Sequence, residues 1–196
     1  RLFSNFTYFL NDPTNGDQFE QLDRRNIFGG NIVWDFLDLE KLSLRYGAEL
    51  RADIVENAGL YSTRYRTRTS TIRQDAVDWL SLGSFIEAEL DISQAFRAIV
   101  GLRGDHTQYE VEAFRKINSG SGEESILSPK FSLIYSLNER AELYANYGRG
   151  FHSNDVRGRT VTIDPITGNK ITPVDLFVNQ IGYEVGSRFE QDDSSN

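Results

Sequence analysis

The sequence predicts an all-β protein: an antiparallel up-and-down transmembrane β-barrel, with about eight strands present as part of a larger barrel. Three observations lead to this fold class. Apolar and polar residues alternate at a period of two along most of the chain, no segment shows a helical period, and long connections alternate with short ones. Outer-membrane barrels have this asymmetry of loop length, whereas a soluble sandwich has no reason to sort its loops in this way.

The stretch from Leu42 to Asp53 has the most regular alternation in the chain. Its even-numbered residues are leucine, tyrosine and alanine, and its odd-numbered residues include Arg45, Glu49 and Arg51. A strand places the two sets on opposite faces. Charges on one face are costly in a dry sandwich core but acceptable in a water-filled lumen, so the apolar face is expected to meet lipid.

Residues 128–151 predict a β-hairpin with one apolar face. Two alternating runs, Lys130–Leu137 and Ala141–Gly148, are joined by Asn138–Arg140, whose composition is typical of a tight turn.

The other elements follow from the same alternation and from turn composition. The remaining predicted strands are Leu2–Leu10, Asp23–Phe36, Leu42–Asp53, Trp79–Ile92, Phe96–Asp105 and Gln180–Glu190. Long connections are predicted at Asn11–Gln21, Val55–Asp75, Phe114–Ser125 and His152–Asn179, and short ones at Asp38–Lys41, Ser93–Gln94 and Asn138–Arg140. Aromatic residues on the apolar faces lie near the short connections, as in a membrane-interface girdle: Trp34, Phe36, Phe96, Tyr135 and Phe189.

Composition removes several classes of function. The chain has 196 residues, no cysteine, two histidines and a formal net charge of -8. An acidic chain lacks the basic surface that nucleic-acid binding requires, so no nucleic-acid partner is expected. Without cysteine there are no disulfides, thiolate metal sites or cysteine nucleophiles, and no cofactor or metal site is expected.

Several motifs resemble the barrel of TonB-dependent outer-membrane receptors. The longest is Tyr144–Gly158, with the sequence YANYGRGFHSNDVRG. Other parts of that barrel are similar to Ser128–Lys130 after a Ser-Gly-rich loop, Gly182–Gly186 (GYEVG), Ser70–Asp75 (STIRQD) and Val100–His106 (VGLRGDH). The resemblance covers nearly the whole chain.

The resemblance implies a bacterial outer-membrane importer. Receptors of this kind have a barrel of about 22 strands with an N-terminal plug domain, and the protein TonB energises them. The expected ligand is a nutrient, such as a ferric siderophore or similar iron chelate, and the other expected partners are outer-membrane lipid and the TonB complex, acting through the plug. The plug has no counterpart in this sequence, so residues 1–196 are expected to be part of the C-terminal barrel domain. The alternatives are a passive porin-like channel and a soluble β-sandwich binding module.

A basic and aromatic cluster is the candidate ligand site. The Val55–Asp75 connection concentrates arginine and tyrosine in an acidic chain, and the His152–Asn179 connection adds two arginines. Guanidinium groups and aromatic faces capture anionic ligands. The alternative is an ordinary solvated loop, with or without contact to anionic lipopolysaccharide. The expected ligand-binding residues are Tyr61, Arg64, Tyr65, Arg66, Arg68, Arg73, Arg157 and Arg159.

The run His152–Asp155 contains histidine, serine, asparagine and aspartate, which are residue types of a hydrolase site. Adjacent residues cannot easily direct their side chains at one another as a catalytic triad requires. We therefore expect no enzymatic activity and interpret this run as the exit from a strand into a loop.

The alternation also predicts the faces and edges of the sheet. The outer, convex face should carry Leu42, Leu44, Tyr46, Leu50, Leu80, Leu82, Val100, Leu102, Leu133 and Leu143. The inner, concave face should carry Arg45, Glu49, Arg51, Glu87, Glu89, Arg103, Glu142 and Glu184. The first and last strands should remain unpaired edges of an open arc rather than close a small barrel.

Overall fold

The structure is a computed structural model that describes the backbone of residues 2–9 and the backbone and side chains of residues 18–190. Eight strands make up most of it: β1 Leu2–Phe9, β2 Gln18–Leu39, β3 Leu42–Arg64, β4 Thr67–Asp91, β5 Phe96–Glu112, β6 Gly120–Asn138, β7 Ala141–Ser153 and β8 Phe177–Phe189. A 3-10 turn covers Lys116–Asn118 and a single helix, α1, covers Val156–Thr160. Neither is long and apolar enough to cross a membrane.

The strands form one antiparallel sheet in which each strand pairs with its neighbour in sequence, in the order β1 to β8. Within the described residues, β8 does not return to pair with β1, so the sheet is the open arc that the sequence predicts. A single curved sheet of this topology is part of an up-and-down barrel, and the sandwich alternative, which needs two packed sheets, does not fit it.

The register places every member of the two predicted face sets as expected. Leu42 lies opposite Leu90, Tyr46 opposite Ile86, and Leu50 opposite Leu82, and residues that face each other across a ladder share a face. The pairings of β5 to β8 carry the same outer face on to Leu143 and the same inner face on to Glu184. The period-two pattern therefore predicts the two faces correctly.

The outer face carries a continuous apolar band. On β4 its outward residues run from Leu80 to Leu90, and on β6 from Leu127 to Leu137, which is eleven residues on each strand. A membrane-crossing strand needs about 9–11 residues. Aromatic rings lie at the end of the band next to the short turns, where Phe96 stacks on Tyr135 at 4.6 Å between ring centroids.

The predicted long connection Val55–Asp75 is wrong. These residues belong to β3 and β4, which continue far beyond the apolar band and are joined by Tyr65 and Arg66 alone. Threonines alternate with arginines and serines in its outer part, and β-branched threonine favours extended backbone, so the segment pairs as a hairpin although both faces are polar there. The hairpin formed by residues 55–75 is called the projecting hairpin below.

The other predicted long connections are shorter than expected. Gln18–Gln21 belong to β2, β6 begins at Gly120, and β7 and β8 extend to Ser153 and from Phe177. The predicted connection at residues 11–17 lies outside the described residues. The three short turns are confirmed at the opposite end of the strands, since β2–β3, β4–β5 and β6–β7 are joined by 40–41, 92–95 and 139–140.

The strands β6 and β7 are paired along only part of their length. Their ladder runs from Asn138 opposite Ala141 to Lys130 opposite Gly148 and stops there. Beyond this point β6 pairs with β5 alone and β7 with β8 alone. Pro129 immediately precedes Lys130 in the chain and has no N–H to donate. It is the local reason why the ladder between β6 and β7 ends at Lys130.

Candidate functional site

The connection between β7 and β8, residues 154–176, folds onto the concave face of the wall. Val156, Leu176 and Phe177 are buried against an apolar group on β3, β4 and β5, and Leu176 has an exposed fraction of 0%. The residues of the wall in this cluster are Val55, Ala58, Val77, Val111 and Ala113. We call residues 154–176 the inward connection.

A second anchor holds the inward connection to the loop between β5 and β6. The side-chain amide of Asn118, which is buried, donates to the carbonyl of Ile163 at 2.8 Å. Its side-chain oxygen accepts from the backbone N–H groups of Thr162 and Ile163 at 3.0 Å each. Three backbone groups of the connection are thereby satisfied by one side chain, so the two loops are fixed to each other.

The inward connection and the wall enclose a cavity of about 400 Å³. Aromatic and aliphatic side chains line one part of it, including Trp79, Phe151 and Phe177. The charged lining consists of four arginines and four carboxylates: Arg25, Arg51, Arg103, Arg157, Glu49, Asp53, Asp105 and Asp155. A concave site with an apolar wall and converging polar groups is the usual form of a small-molecule site.

Most of these charges belong to arginine–aspartate pairs two residues apart. Arg51 donates to Asp53 through Nε and Nη2, both at 2.9 Å, and Arg103 Nε lies 2.9 and 3.0 Å from the two carboxylate oxygens of Asp105. The same spacing recurs in Asp23–Arg25, Arg73–Asp75 and Asp155–Arg157. Side chains at i and i+2 of a strand share a face, so four strands each present one such pair to the lumen.

Contacts between strands join these pairs into a network. Arg103 Nη2 reaches Glu49 on β3 at 3.3 Å, and Arg25 Nη1 lies 3.6 Å from Asp53. Closer to the short turns, Arg45 Nε binds Asp35 at 2.6 Å and Glu87 pairs with Lys130. The concave wall therefore presents guanidinium groups whose positions are fixed by neighbouring carboxylates.

Asp155 caps the start of α1 within the inward connection and binds Arg157. Asp155 Oδ1 accepts from the backbone N–H of Arg157 at 2.9 Å and from its Nε at 3.0 Å. Partial desolvation opposes ionisation of Asp155, but the hydrogen bonds and charge of Arg157, with the charge of Arg73, outweigh it and lower the pKa of Asp155. Asp155 is therefore ionised at neutral pH and holds Arg157 at the cavity edge.

The predicted ligand-binding residues do not form one cluster. Arg157 lines the cavity, Arg73 lies close enough for its charge to act on Asp155, and Arg159 Nε lies 4.0 Å from Glu124. The other five belong to the outer part of the projecting hairpin: Tyr61, Arg64, Tyr65, Arg66 and Arg68. Between Asp53 at the cavity and Arg64 near the hairpin tip, β3 continues for eleven residues.

Tyr61 and Arg68 have structural partners in the projecting hairpin. Arg68 donates to Glu20 through Nε and Nη2, each at 2.7 Å, and its guanidinium lies 3.8 Å from the ring centroid of Tyr61. The Tyr61 hydroxyl lies within hydrogen-bond distance of Asn57 and Gln74. These contacts join β2, β3 and β4 beyond the apolar band.

A comparison with protein families settles the class of the chain. The family model described as "TonB dependent receptor-like, beta-barrel" matches residues 1–193. The chain belongs to the TonB-dependent receptor family. The expectation drawn from the motifs at Tyr144–Gly158 and elsewhere is thus confirmed.

A solved structure with a similar fold is the ferric yersiniabactin uptake receptor FyuA from Yersinia pestis. The TM-score is 0.62 and the sequence identity 16%, over 89% of this chain and 27% of that chain. At this identity the likeness concerns the fold alone, and the chain spans about a quarter of the receptor's length. A search of curated proteins found no match.

In this receptor-family barrel, the residues of the hydrolase-like run lie apart. His152 and Ser153 are consecutive on β7, so their side chains leave opposite faces, and Asp155 is held by Arg157. The Asn154 side-chain amide donates to the carbonyl of Asp175 at 2.8 Å. Among the described residues, no three metal-ligating side chains converge on one point.

The guanidinium network of the wall was missed in the sequence. The charged faces were recognised, but not the recurrence of arginine and aspartate at i and i+2 in Asp23–Arg25, Arg51–Asp53, Arg73–Asp75, Arg103–Asp105 and Asp155–Arg157. That spacing was the available signal, because opposite charges at i and i+2 of a strand pair on one face.

Proposed function

We propose that this chain forms part of the barrel wall of a bacterial outer-membrane receptor that takes up a nutrient ligand with energy supplied through TonB. Family membership supports the class of protein, and an outward apolar band of membrane-crossing height supports the location. TonB would act through the plug domain of such a receptor.

The cavity beneath the inward connection is the observation that carries the proposal. It lies on the lumen side of the wall, at the end away from the short turns, where an outside ligand would enter. Since its lining has as many arginines as carboxylates, net charge does not attract the ligand. Binding would come from charge-assisted hydrogen bonds to single guanidinium groups and from packing on Trp79, Phe151 and Phe177.

These properties fit a ferric siderophore or a similar iron chelate, which combines anionic oxygens with an apolar or aromatic framework. FyuA is named for the uptake of one such chelate. In this proposal Arg157 contacts the ligand, with Arg73 beside it. A ligand role for Tyr61, Arg64, Tyr65, Arg66, Arg68 and Arg159 stays a prediction.

Uptake of radioactive iron chelates tests the proposal in cells whose only receptor of this family is the complete protein. We expect uptake that disappears when TonB is deleted, whereas uptake that persists without TonB would contradict the proposal and indicate a passive channel. Arg157→Gln should weaken chelate binding about 10- to 100-fold, since a hydrogen bond to a charged group contributes about 1.5–3 kcal/mol.

Lys170→Gln is the matched control, because Lys170 lies in the same inward connection, exposed and away from the cavity lining. Hydrogen exchange of residues 154–176 in both variants shows whether the connection remains folded. Equal binding by the two variants, with the connection intact, would remove Arg157 from the ligand site.

A further inference from the structure

The tip of the projecting hairpin consists of Arg64, Tyr65 and Arg66, all exposed. Tyr65 has an exposed fraction of 66%, and the Arg64 guanidinium lies 5.6 Å from its ring centroid. Ile54 is the last outward apolar residue of β3, and Arg64 lies ten residues beyond it. At about 3.3 Å per residue, the tip stands on the order of 30 Å beyond the apolar band along the strand.

The two turn residues adopt an unfavourable backbone conformation. Tyr65 has a φ of 50° and Arg66 a φ of 64°, as a two-residue turn of type I′ requires. Glycine, asparagine and aspartate accept this region readily, whereas a bulky side chain there is strained. Because this turn sequence strains the backbone while it exposes an aromatic ring and two guanidinium groups, we infer a binding role for these side chains.

The hairpin below the tip holds the backbone of the turn in place. Arg68 donates through Nε and Nη2 to the two carboxylate oxygens of Glu20, and the backbone N–H of Arg66 donates to the Gln18 side chain at 3.1 Å. Gln18 and Glu20 belong to β2, so three strands support the turn. The backbone of the tip is therefore fixed before a partner binds, which lowers the entropy cost of binding.

We propose that this tip binds an anionic polysaccharide chain at the cell surface. The tip is convex, so it cannot enclose a small ligand as a cavity does. Three side chains also present far less area than the roughly 1,000 Å² that a specific protein partner needs. At this height the tip lies beyond the lipid headgroups, which extend only about 5–8 Å past each side of the hydrocarbon core.

The side chains at the tip match such a polymer. Guanidinium groups bind carboxylate, phosphate and sulfate oxygens through paired hydrogen bonds, and the exposed Tyr65 ring offers a flat apolar surface to a sugar ring. Each repeated unit along the polymer is an equivalent site for the tip, so the apparent affinity rises with the number of units. This site is separate from the cavity under the inward connection and does not depend on the identity of the imported nutrient.

Binding of dextran sulfate to the complete receptor in detergent micelles tests the proposal, with neutral dextran and single-stranded DNA of similar length as comparisons. We expect dextran sulfate to bind and neutral dextran not to bind. Arg64→Gln/Arg66→Gln should weaken binding at least tenfold and reduce the dependence of log K on log salt by about two, since two ionic contacts are lost. Equal affinity for the DNA would overturn the assignment to a saccharide.

Two further variants separate recognition from folding. Tyr65→Asn/Arg66→Gly installs a turn sequence that suits type I′. It should leave the melting temperature unchanged or higher while it weakens dextran sulfate binding. Lys41→Gln/Lys116→Gln removes two positive charges from exposed connections elsewhere and should change binding less than twofold. The proposal is overturned if this control weakens binding as much as the tip variants, or if the tip variants bind normally.

Discussion

The wall has two parts that differ in how tightly their pairing is constrained. Within the apolar band, β3 and β4 pair without a shift from Leu42 opposite Leu90 to Val55 opposite Val77. Beyond the band the same two strands have three register shifts in the projecting hairpin, between Val55 and Ala58, Leu60 and Tyr61, and Ser62 and Thr63.

The difference follows from what each face contacts. Inside the band one face is apolar and the other charged, so a shift by one residue would place guanidinium groups in lipid and leucines in the lumen. Beyond the band neither face is expected to contact lipid, so a bulge exchanges faces at little cost. The ladder between β3 and β4 therefore skips Glu56 and Asn57, whereas it pairs Arg45 and Tyr46 without interruption.

The largest expected effect is a charge placed on the outer face. Ile86 lies near the middle of the band, opposite Tyr46 and Leu102. Ile86→Arg in the complete receptor should lower the free energy of unfolding from lipid vesicles by about 2–4 kcal/mol, because the guanidinium would face hydrocarbon. Denaturant titration in vesicles measures this.

The matched substitution is Ser70→Arg on the projecting hairpin, which should change the free energy of unfolding by less than about 0.5 kcal/mol because Ser70 is exposed. If the two substitutions have equal effects, the outer face of β4 does not contact lipid, and the contrast between the two parts of the wall is mistaken.

A smaller effect is expected from the pair that joins β2 to β4 in the hairpin. Removing Arg68 or Glu20 should loosen the outer hairpin, since their two hydrogen bonds link strands that are not neighbours in the sheet. A double-mutant cycle with Arg68→Gln and Glu20→Gln should give a coupling of about 1 kcal/mol, reduced by the partial exposure of Arg68.

Hydrogen exchange of residues 60–70 is the local readout for this cycle. Arg66→Ala should leave exchange unchanged, since the Arg66 contact to Gln18 uses its backbone N–H. Arg66→Ala therefore removes a tip guanidinium without removing a contact that orders the hairpin, whereas Arg68→Gln removes such a contact. If the cycle gives no coupling free energy between Arg68 and Glu20, the backbone hydrogen bonds between the strands alone order the hairpin.

The smallest effect is a dependence on pH in the inward connection. The pKa of Asp155 is lowered in the folded state, so its contribution to stability is present above the ordinary aspartate pKa of about 3.9 and is lost as the pH falls below it. Half of this side chain is exposed, so the effect should stay below about 1 kcal/mol.

The protection of residues 154–176, which is their exchange relative to the intrinsic rate at each pH, should decrease between pH 5 and pH 3, roughly the range in which this loss begins. In Asp155→Asn this decrease in protection should be absent. If both proteins respond alike, another group controls the connection; Asp164, whose pKa is lowered by hydrogen bonds from the backbone N–H groups of Thr167 and Ile166, is the next to examine.

The barrel wall could be predicted from the sequence wherever lipid and water contact opposite faces. The alternation at Leu42–Asp53 and at the hairpin of 128–151 determined strand positions, faces and short turns, because burying the wrong set is costly. The motif at Tyr144–Gly158 also indicated the family correctly. The projecting hairpin was missed because a polar strand and a polar loop have similar compositions.

The sequence by itself determined the fold class, the two faces of the wall and the family. Only the tertiary structure decided that Val156, Leu176 and Phe177 bring residues 154–176 onto the wall, and that Arg157 thereby joins Arg25, Arg51 and Arg103 at one cavity. Each strand has different environments on its two faces, so its residues alternate between apolar and polar types, and this alternation can be recognised in the sequence. Contacts between a loop and strands a hundred residues away depend on curvature and packing, which no local pattern encodes.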